Sequence, residues 1–311
     1  MQQYSSRLFM VRPAHFAFNE QTAESNSFQN APEDISGMQT KVLAEFDSAV
    51  ATLRNVGVDV WVIEDTDDII KPDAIFPNNW ISTHEDGTIV LYPMLTPNRR
   101  AERRMDIVES LNENFEVSRI LDLSSYEDTN EFLEGTGSIV FDHEARLAYT
   151  CLSPRTHLSV LQHLCDEIDY KPVVFHSVDE KGQDVYHTNV VMGIAKEFVI
   201  ICLESVRDEK ERALLANSFE TSGKEIIDIS FKQVKSFAGN VLAINNESGE
   251  THLALSETAY CSLNENQKER ISRHAVFLPI SIPTIETIGG GSIRCMLAQN
   301  FLKNNSTVIK N

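Results

Sequence analysis

The chain has 311 residues, 42% of them apolar and 23% charged, with a formal charge of -19 at pH 7. That length buries a sizeable core, and the mixture is that of an ordinary globular protein. The acidic excess argues against nucleic acid or an anionic membrane as a partner, because both want basic surface.

Five cysteines (Cys151, Cys165, Cys202, Cys261, Cys295) are scattered without metal-ligand spacing, and nothing in their pattern asks for a zinc site or a disulfide framework. The nine histidines show no pairing at ligand spacing either, so neither a metal nor another cofactor is expected. The N-terminal stretch lacks the apolar core of a signal peptide, and no run approaches the roughly 18 apolar residues of a membrane span. A reducing cytoplasm is the expected location.

In chain order, Leu8 to Val11 reads as a first strand, followed by a polar, Asn-rich loop from Phe18 to Ser27 of the kind that covers a site. Val42, Leu43, Phe46, Val50 and Leu53 recur at helical spacing, which predicts a helix from Met38 to Asn55, and Val58 to Ile63 is then a buried strand. A hairpin turning at Asp86-Gly87 comes next, with Thr88 to Tyr92 as its return. A helix is expected from Arg99 to Leu111 and a strand from Phe115 to Leu121. The cluster Arg99, Arg100, Arg103 and Arg104 reads as the positive face of that helix.

The same order recurs three times: from Glu134, with a helix from about Arg155 to Ile168; from His187, with a helix from Asp208 to Phe219; and from Ala238, with a helix near Asn264 to His274. In each copy two strands precede the helix and one follows it. A fifth copy starts at Gly289 and must be completed by the N-terminal strand. Aligning Asn79, Gly137, Asn189, Asn240 and Ser292 gives a repeat of roughly 50 to 60 residues. Such a unit cannot bury its own faces, so five must pack around a common centre. The expected fold is a five-bladed α/β propeller forming one catalytic domain over residues 1–311.

Cysteine in an apolar run is commonly just a small buried hydrophobe. Cys295, however, follows Gly289-Gly290-Gly291, which permits close approach of backbone to a ligand, and thiol catalysis needs a base and a carboxylate opposite it. His187 and Glu134 open two other repeats, so the ring would bring them, with Asn79 and Asn240, to one central channel. On its own each has a plainer reading: a satisfied core histidine, an exposed turn carboxylate, turn asparagines.

The motifs Glu134-Gly-Thr-Gly, His187-Thr-Asn, Ala238-Gly-Asn-Val and Gly-Gly-Gly-Ser-Ile-Arg-Cys295-Met resemble those of the guanidine-modifying enzyme superfamily of arginine deiminases, dimethylarginine hydrolases and amidinotransferases. Within it, Val11 to Phe16, the Asn19 to Asn26 loop and Phe76-Pro77-Asn78-Asn79-Trp80 look most like the bacterial citrulline hydrolases. The resemblance spans essentially the whole chain and implies the same five-bladed propeller. It implies Cys295 as nucleophile, His187 as general acid and base, and Glu134 as the carboxylate that orients His187 or the substrate nitrogens. It also implies Arg155 as the ligand of a substrate α-carboxylate, and Asn19 in a covering loop.

Where the guanidine-binding enzymes carry an acidic residue, this chain has Pro77-Asn78-Asn79, and an amide suits a neutral urea better than a cation. The expected reaction is therefore hydrolysis of L-citrulline to ornithine, carbon dioxide and ammonia, with Asp73 as a second polar contact. The alternatives are a dimethylarginine or arginine hydrolase, an amidinotransferase, and a propeller that binds such ligands without turnover. A reactive thiolate at Cys295, titrating below the usual thiol range, is the expected mark of catalysis. The expected partner is a small amino-acid substrate, and a homodimer is compatible with it.

Overall fold

The computed structural model describes residues 2–305 apart from 33 and 35. Its framework is five three-stranded sheets, each with its first two strands antiparallel and its last two parallel. This is the α/β propeller expected from the repeats. The first blade pairs Ile81–Thr83, Thr88–Leu91 and Arg119–Asp122, and the second Val140–Asp142, Leu147–Cys151 and Lys171–Phe175. The third uses Met192–Ile194, Phe198–Ile201 and Glu225–Asp228, and the fourth Leu242–Asn245, Thr251–Ser256 and Val276–Ile280.

The fifth blade is shared between the chain ends. Ala298–Gln299 pairs antiparallel with Arg7–Arg12, at Leu8↔Gln299 and Phe9↔Ala298. Arg7–Arg12 then runs parallel to Asp59–Glu64, in register from Arg7↔Asp59 to Arg12↔Glu64.

Each parallel connection carries a helix whose apolar stripe closes the blade. In Met38–Asn55 the buried residues are Val42, Phe46, Ala49, Val50 and Leu53, the spacing of one helical face. Glu209–Thr221 starts where the Asp208 side chain accepts the Lys210 and Glu211 amides, and Glu265–Ser272 where Asn264 and Gln267 cap reciprocally. Middle strands such as Phe198–Ile201 are buried along their whole length, so they read as continuous apolar runs rather than as an alternation. Among the described residues no helix is long and apolar enough to cross a membrane.

Four expectations change. The segments opening at Glu134 and His187 are not strands from their first residue: each begins with one helical turn, Gly135–Ser138 and Thr188–Val191, before the strand. Ile293–Met296 does the same in the fifth repeat, and Pro77–Asn79 forms a 3₁₀ turn in the first. A turn satisfies its own backbone groups at the crowded hub, where no neighbouring strand is free to pair. The helix predicted from Arg99 to Leu111 is two pieces, Pro97–Arg100 and Met105–Asn114, and the one near Arg155 begins only at Leu158. The strand predicted over 115–121 is also split, with Phe115–Glu116 pairing with Lys303–Asn304 near the C-terminus.

Closure of the ring rests on the N-terminal strand, whose Phe9 is fully buried in a cluster with Val11, Trp80, Ile89 and Ala298. Phe9→Ala is expected to cost about 3–5 kcal/mol of stability, because the cavity joins two blades that cannot both relax into it. Urea unfolding would show this as a lower midpoint; a midpoint within error of wild type would mean the strand does not hold the ring shut.

Candidate active site

The hub turns bring together residues far apart in sequence. His187 Nε2 donates to Glu134 Oε2 at 2.8 Å, and the two are 3% and 0% exposed. His187 and Cys295 line one cavity, with Asp73, Asn79, Arg99, Arg155 and Tyr186. Gly137 makes the packing possible: a Cβ there would lie 2.3 Å from Asn79 Nδ2 and 2.7 Å from His187 Nδ1.

Glu134 is the most heavily partnered group. Its Oε1 accepts the Leu95 amide at 3.1 Å, and its Oε2 also faces Arg155 Nη1 at 3.4 Å and Arg99 Nη1 at 4.0 Å. Burial alone would raise this carboxyl, but Arg155, the His187 hydrogen bond and Arg99 outweigh it and hold it well below the usual carboxylate range. Burial acts the other way on His187, lowering it to about 4 against the pull of Glu134, so the imidazole is neutral at pH 7.

Cys295 lies within the turn Ile293–Met296, with the amides of two other repeats around its sulfur. Asn240 Nδ2 donates to Sγ at 3.3 Å and Asn189 Nδ2 at 3.6 Å, and the thiol faces Asn240 Oδ1 at 3.6 Å. Burial raises the thiol, and these amides together with Arg294 only partly offset it. Burial thus favours the neutral thiol in the ligand-free site.

Asn240, expected at the substrate, contacts the sulfur and the Asn189 carbonyl instead. Asn19 holds Asp73, donating from Nδ2 to Oδ2 at 2.7 Å, and leaves Asp73 Oδ1 buried without a partner among the described residues. Asn79 accepts at Oδ1 from Arg99 Nη1 at 3.0 Å, while its Nδ2 has no partner among the described residues.

Arg155 is fully buried over the Tyr186 ring, and its donors go to Glu134, Ser25 Oγ and the Thr22 carbonyl rather than standing open for a carboxylate. The Asn-rich loop does cover the site. Thr22 and Asn26 line the cavity, and Asn26 Nδ2 donates to the carbonyl of Gly290, whose φ of 62° only glycine adopts freely.

Sequence reasoning placed Arg99 on a helix surface, yet it is 2% exposed, clamped by Glu102 at 2.9 and 2.8 Å, and near Asp73 at 3.7 Å. The Arg99-x-x-Glu102 spacing was the available signal; four arginines in six residues masked it. Tyr186 and Asn189 were also missed as site residues, although both flank His187 in its motif.

A propeller of five ββαβ blades enclosing a cysteine, a histidine and a carboxylate at its hub defines the guanidine-modifying, or pentein, class. The model of the N,N dimethylarginine dimethylhydrolase (eukaryotic) family matches residues 12–302, and this chain belongs to that family, whose members are hydrolases acting on carbon–nitrogen bonds other than peptide bonds.

Among solved structures, the fold is similar to the N-terminal domain of ArgZ, an arginine dihydrolase from the ornithine–ammonia cycle in cyanobacteria, solved bound to substrate. The TM-score is 0.73 at 15% identity, over 95% of this chain and 99% of that domain. The full ArgZ polypeptide is matched over only 40% of its length. A dimethylarginine dimethylaminohydrolase carrying an S-methyl-L-thiocitrulline adduct matches with a TM-score of 0.67 at 12% identity, over 96% of this chain and 100% of that one. At such identities the likeness establishes the fold alone. No curated protein sequence matches the chain.

Because burial favours the uncharged thiol, alkylation of ligand-free Cys295 should rise with pH to a midpoint above the ordinary thiol value of about 8.5. Mass spectrometry of the Cys295 peptide after iodoacetamide pulses across pH 5–10 would read it. A midpoint near 6 would mean the thiolate is already formed at rest.

Proposed function

We infer that this chain hydrolyses the terminal carbon–nitrogen bond of an arginine-like amino acid through a covalent intermediate on Cys295, with residues 1–311 acting as one catalytic domain. The observation that carries the reading is the single cavity lined by Cys295, His187 and Asp73, with ionised Glu134 behind the imidazole. Asp73 Oδ1, buried and unpartnered, is the acceptor that a substrate N–H would satisfy.

With both the thiol and the imidazole neutral at rest, the sulfur proton passes to His187 Nδ1 only after substrate arrives. A guanidinium held between Asp73 and Sγ brings positive charge to the sulfur and favours thiolate. Sγ then attacks the guanidino carbon, forming a C–S bond. His187, its Nε2–H fixed on Glu134, delivers a proton from Nδ1 to the departing nitrogen as the C–N bond breaks. His187 next takes a proton from water, which attacks the same carbon, and as the C–S bond breaks it returns that proton to sulfur, regenerating the thiol and releasing a ureido product. Asn240 and Asn189 serve the sulfur, Asn19 aims Asp73, and Arg155 ties Glu134 to the covering loop. A substrate α-carboxylate would reach Arg155 only by displacing Ser25.

Family membership supports arginine or an N-methylated arginine ahead of the citrulline first expected from Asn79. Citrulline stays as the second reading for one reason. With Oδ1 held by Arg99, Asn79 presents Nδ2 as an unmet donor, which a ureido oxygen accepts and a guanidinium cannot.

Wild type, Cys295→Ala and Asp73→Asn should be assayed on arginine, methylated arginines, citrulline and agmatine, with ammonia and ornithine followed separately. Cys295→Ala is expected to abolish turnover. Asp73→Asn should lower kcat/KM on cationic substrates by about 100-fold, a buried charge-assisted contact being lost, and on citrulline by much less. Faster turnover of citrulline than of any guanidine would establish the second reading. Transfer to an added amine, or binding without turnover, would displace hydrolysis altogether.

A further inference from the structure

The turn Ile293–Met296 has a cavity on each side. Cys295 lines the one already described, and its neighbour Arg294 lines another, bounded by first-strand residues of all five blades and by His84 and His143. Arg294 is 7% exposed and donates only to carbonyls, those of Leu297 at 3.2 Å and Thr136 at 3.4 Å. Among the described residues no carboxylate lies within 4 Å of its guanidinium, although buried arginine normally comes paired. Arg99 and Arg155, buried in the same hub, both face carboxylates.

Two further groups in the same cavity lack partners among the described residues. Gln299 Nε2, a donor, is buried without an acceptor, and so is His84 Nδ1. His84 Nε2 lies 3.1 Å from Ser82 Oγ, itself 2.7 Å from Tyr92 Oη. The tautomer that makes Nδ1 a second donor is the one in which tyrosine donates to serine and serine to Nε2. Burial lowers His84 to about 4 and His143 to about 3, so both rings are neutral and Arg294 is the charged side chain among the described residues lining the cavity. Arg294 is itself lowered to about 10, burial acting without a carboxylate to offset it.

A buried guanidinium without a carboxylate partner and an unmet amide donor describe the complement of an anion. The cavity is about 40 Å³. A water-sized group needs about 10–15 Å³, which leaves room for three or so. A guanidinium fork pairs bidentately with a planar oxyanion.

We propose that this end of the central channel binds a small planar monoanion of the formate or bicarbonate class, seated on Arg294 with Gln299 Nε2 and His84 Nδ1 as further donors, and that its occupancy damps the reactivity of Cys295 across the hub. The coupling is electrostatic: Arg294 is one of the groups that ease the Cys295 thiol back down, and a bound anion cancels that help. No substrate need be known for this to operate.

The test is the iodoacetamide rate at Cys295, read by mass spectrometry at pH 8 and constant ionic strength, with sodium formate or bicarbonate titrated against chloride and phosphate. Formate and bicarbonate should slow labelling about three- to tenfold and saturate, since thiolate is the reacting species, while chloride and phosphate leave it unchanged. Arg294→Met should label slowly and ignore every anion. Should that variant fail to fold, Gln299→Leu keeps the cation and should raise the saturating concentration several-fold. The proposal is overturned by no saturable slowing in wild type, by equal slowing with chloride or phosphate, or by a response that Gln299→Leu leaves unchanged, which would put the anion on the Cys295 side.

Discussion

The site depends on keeping Glu134 ionised where water does not reach. A carboxylate so placed survives only if its surroundings replace hydration, and here they do so with an amide from Leu95, the imidazole of His187 and the guanidinium groups of Arg155 and Arg99. These partners come from three consecutive repeats. Removing one would leave a buried charge under-compensated, at a cost of about 3–5 kcal/mol in comparable pairs, so the ion cluster also joins the blades at the hub. The same carboxylate fixes which imidazole nitrogen carries the proton, and so which one is left to exchange protons with the cavity.

The charge states that follow differ from those of a thiol enzyme primed in advance. Burial favours the neutral form of both Cys295 and His187, and the pull of Arg294 on the sulfur only partly offsets it. Asp73 is held at one oxygen by Asn19 and, among the described residues, has no partner at the other; burial raises its carboxyl against the pull of Arg99. The covering loop, tied down through Ser25, Thr22 and Asn26 to Arg155 and Gly290, limits the water that would otherwise screen these interactions.

The hub is divided as well as filled. One helical turn carries the Cys295 sulfur on one side and, on the other, a guanidinium with no carboxylate partner among the described residues, so adjacent residues in the chain face different compartments. Helical geometry produces this directly, because successive side chains point about 100° apart. Had the segment been a strand from its first residue, the same alternation would have had no backbone partner at the crowded axis.

The sequence by itself determined the repeat, the five blades, the closure by the N-terminal strand and the meeting of Glu134, His187 and Cys295. Those follow from apolar periodicity and from the position of each residue within its repeat, both of which are local properties of the chain. What it could not determine was the state of each group once packed. Arg99 lay in an arginine cluster that looked like solvated surface, and only the fold brought Asp73, Asn79 and Glu102 around it. Asn79 read as the choice of a neutral substrate, but its carbonyl turned out to be engaged by Arg99, leaving a donor whose meaning depends on its neighbours. Protonation, too, was decided by tertiary structure alone, because it reflects how much water each group loses and which charges replace it, and neither is written in sequence spacing.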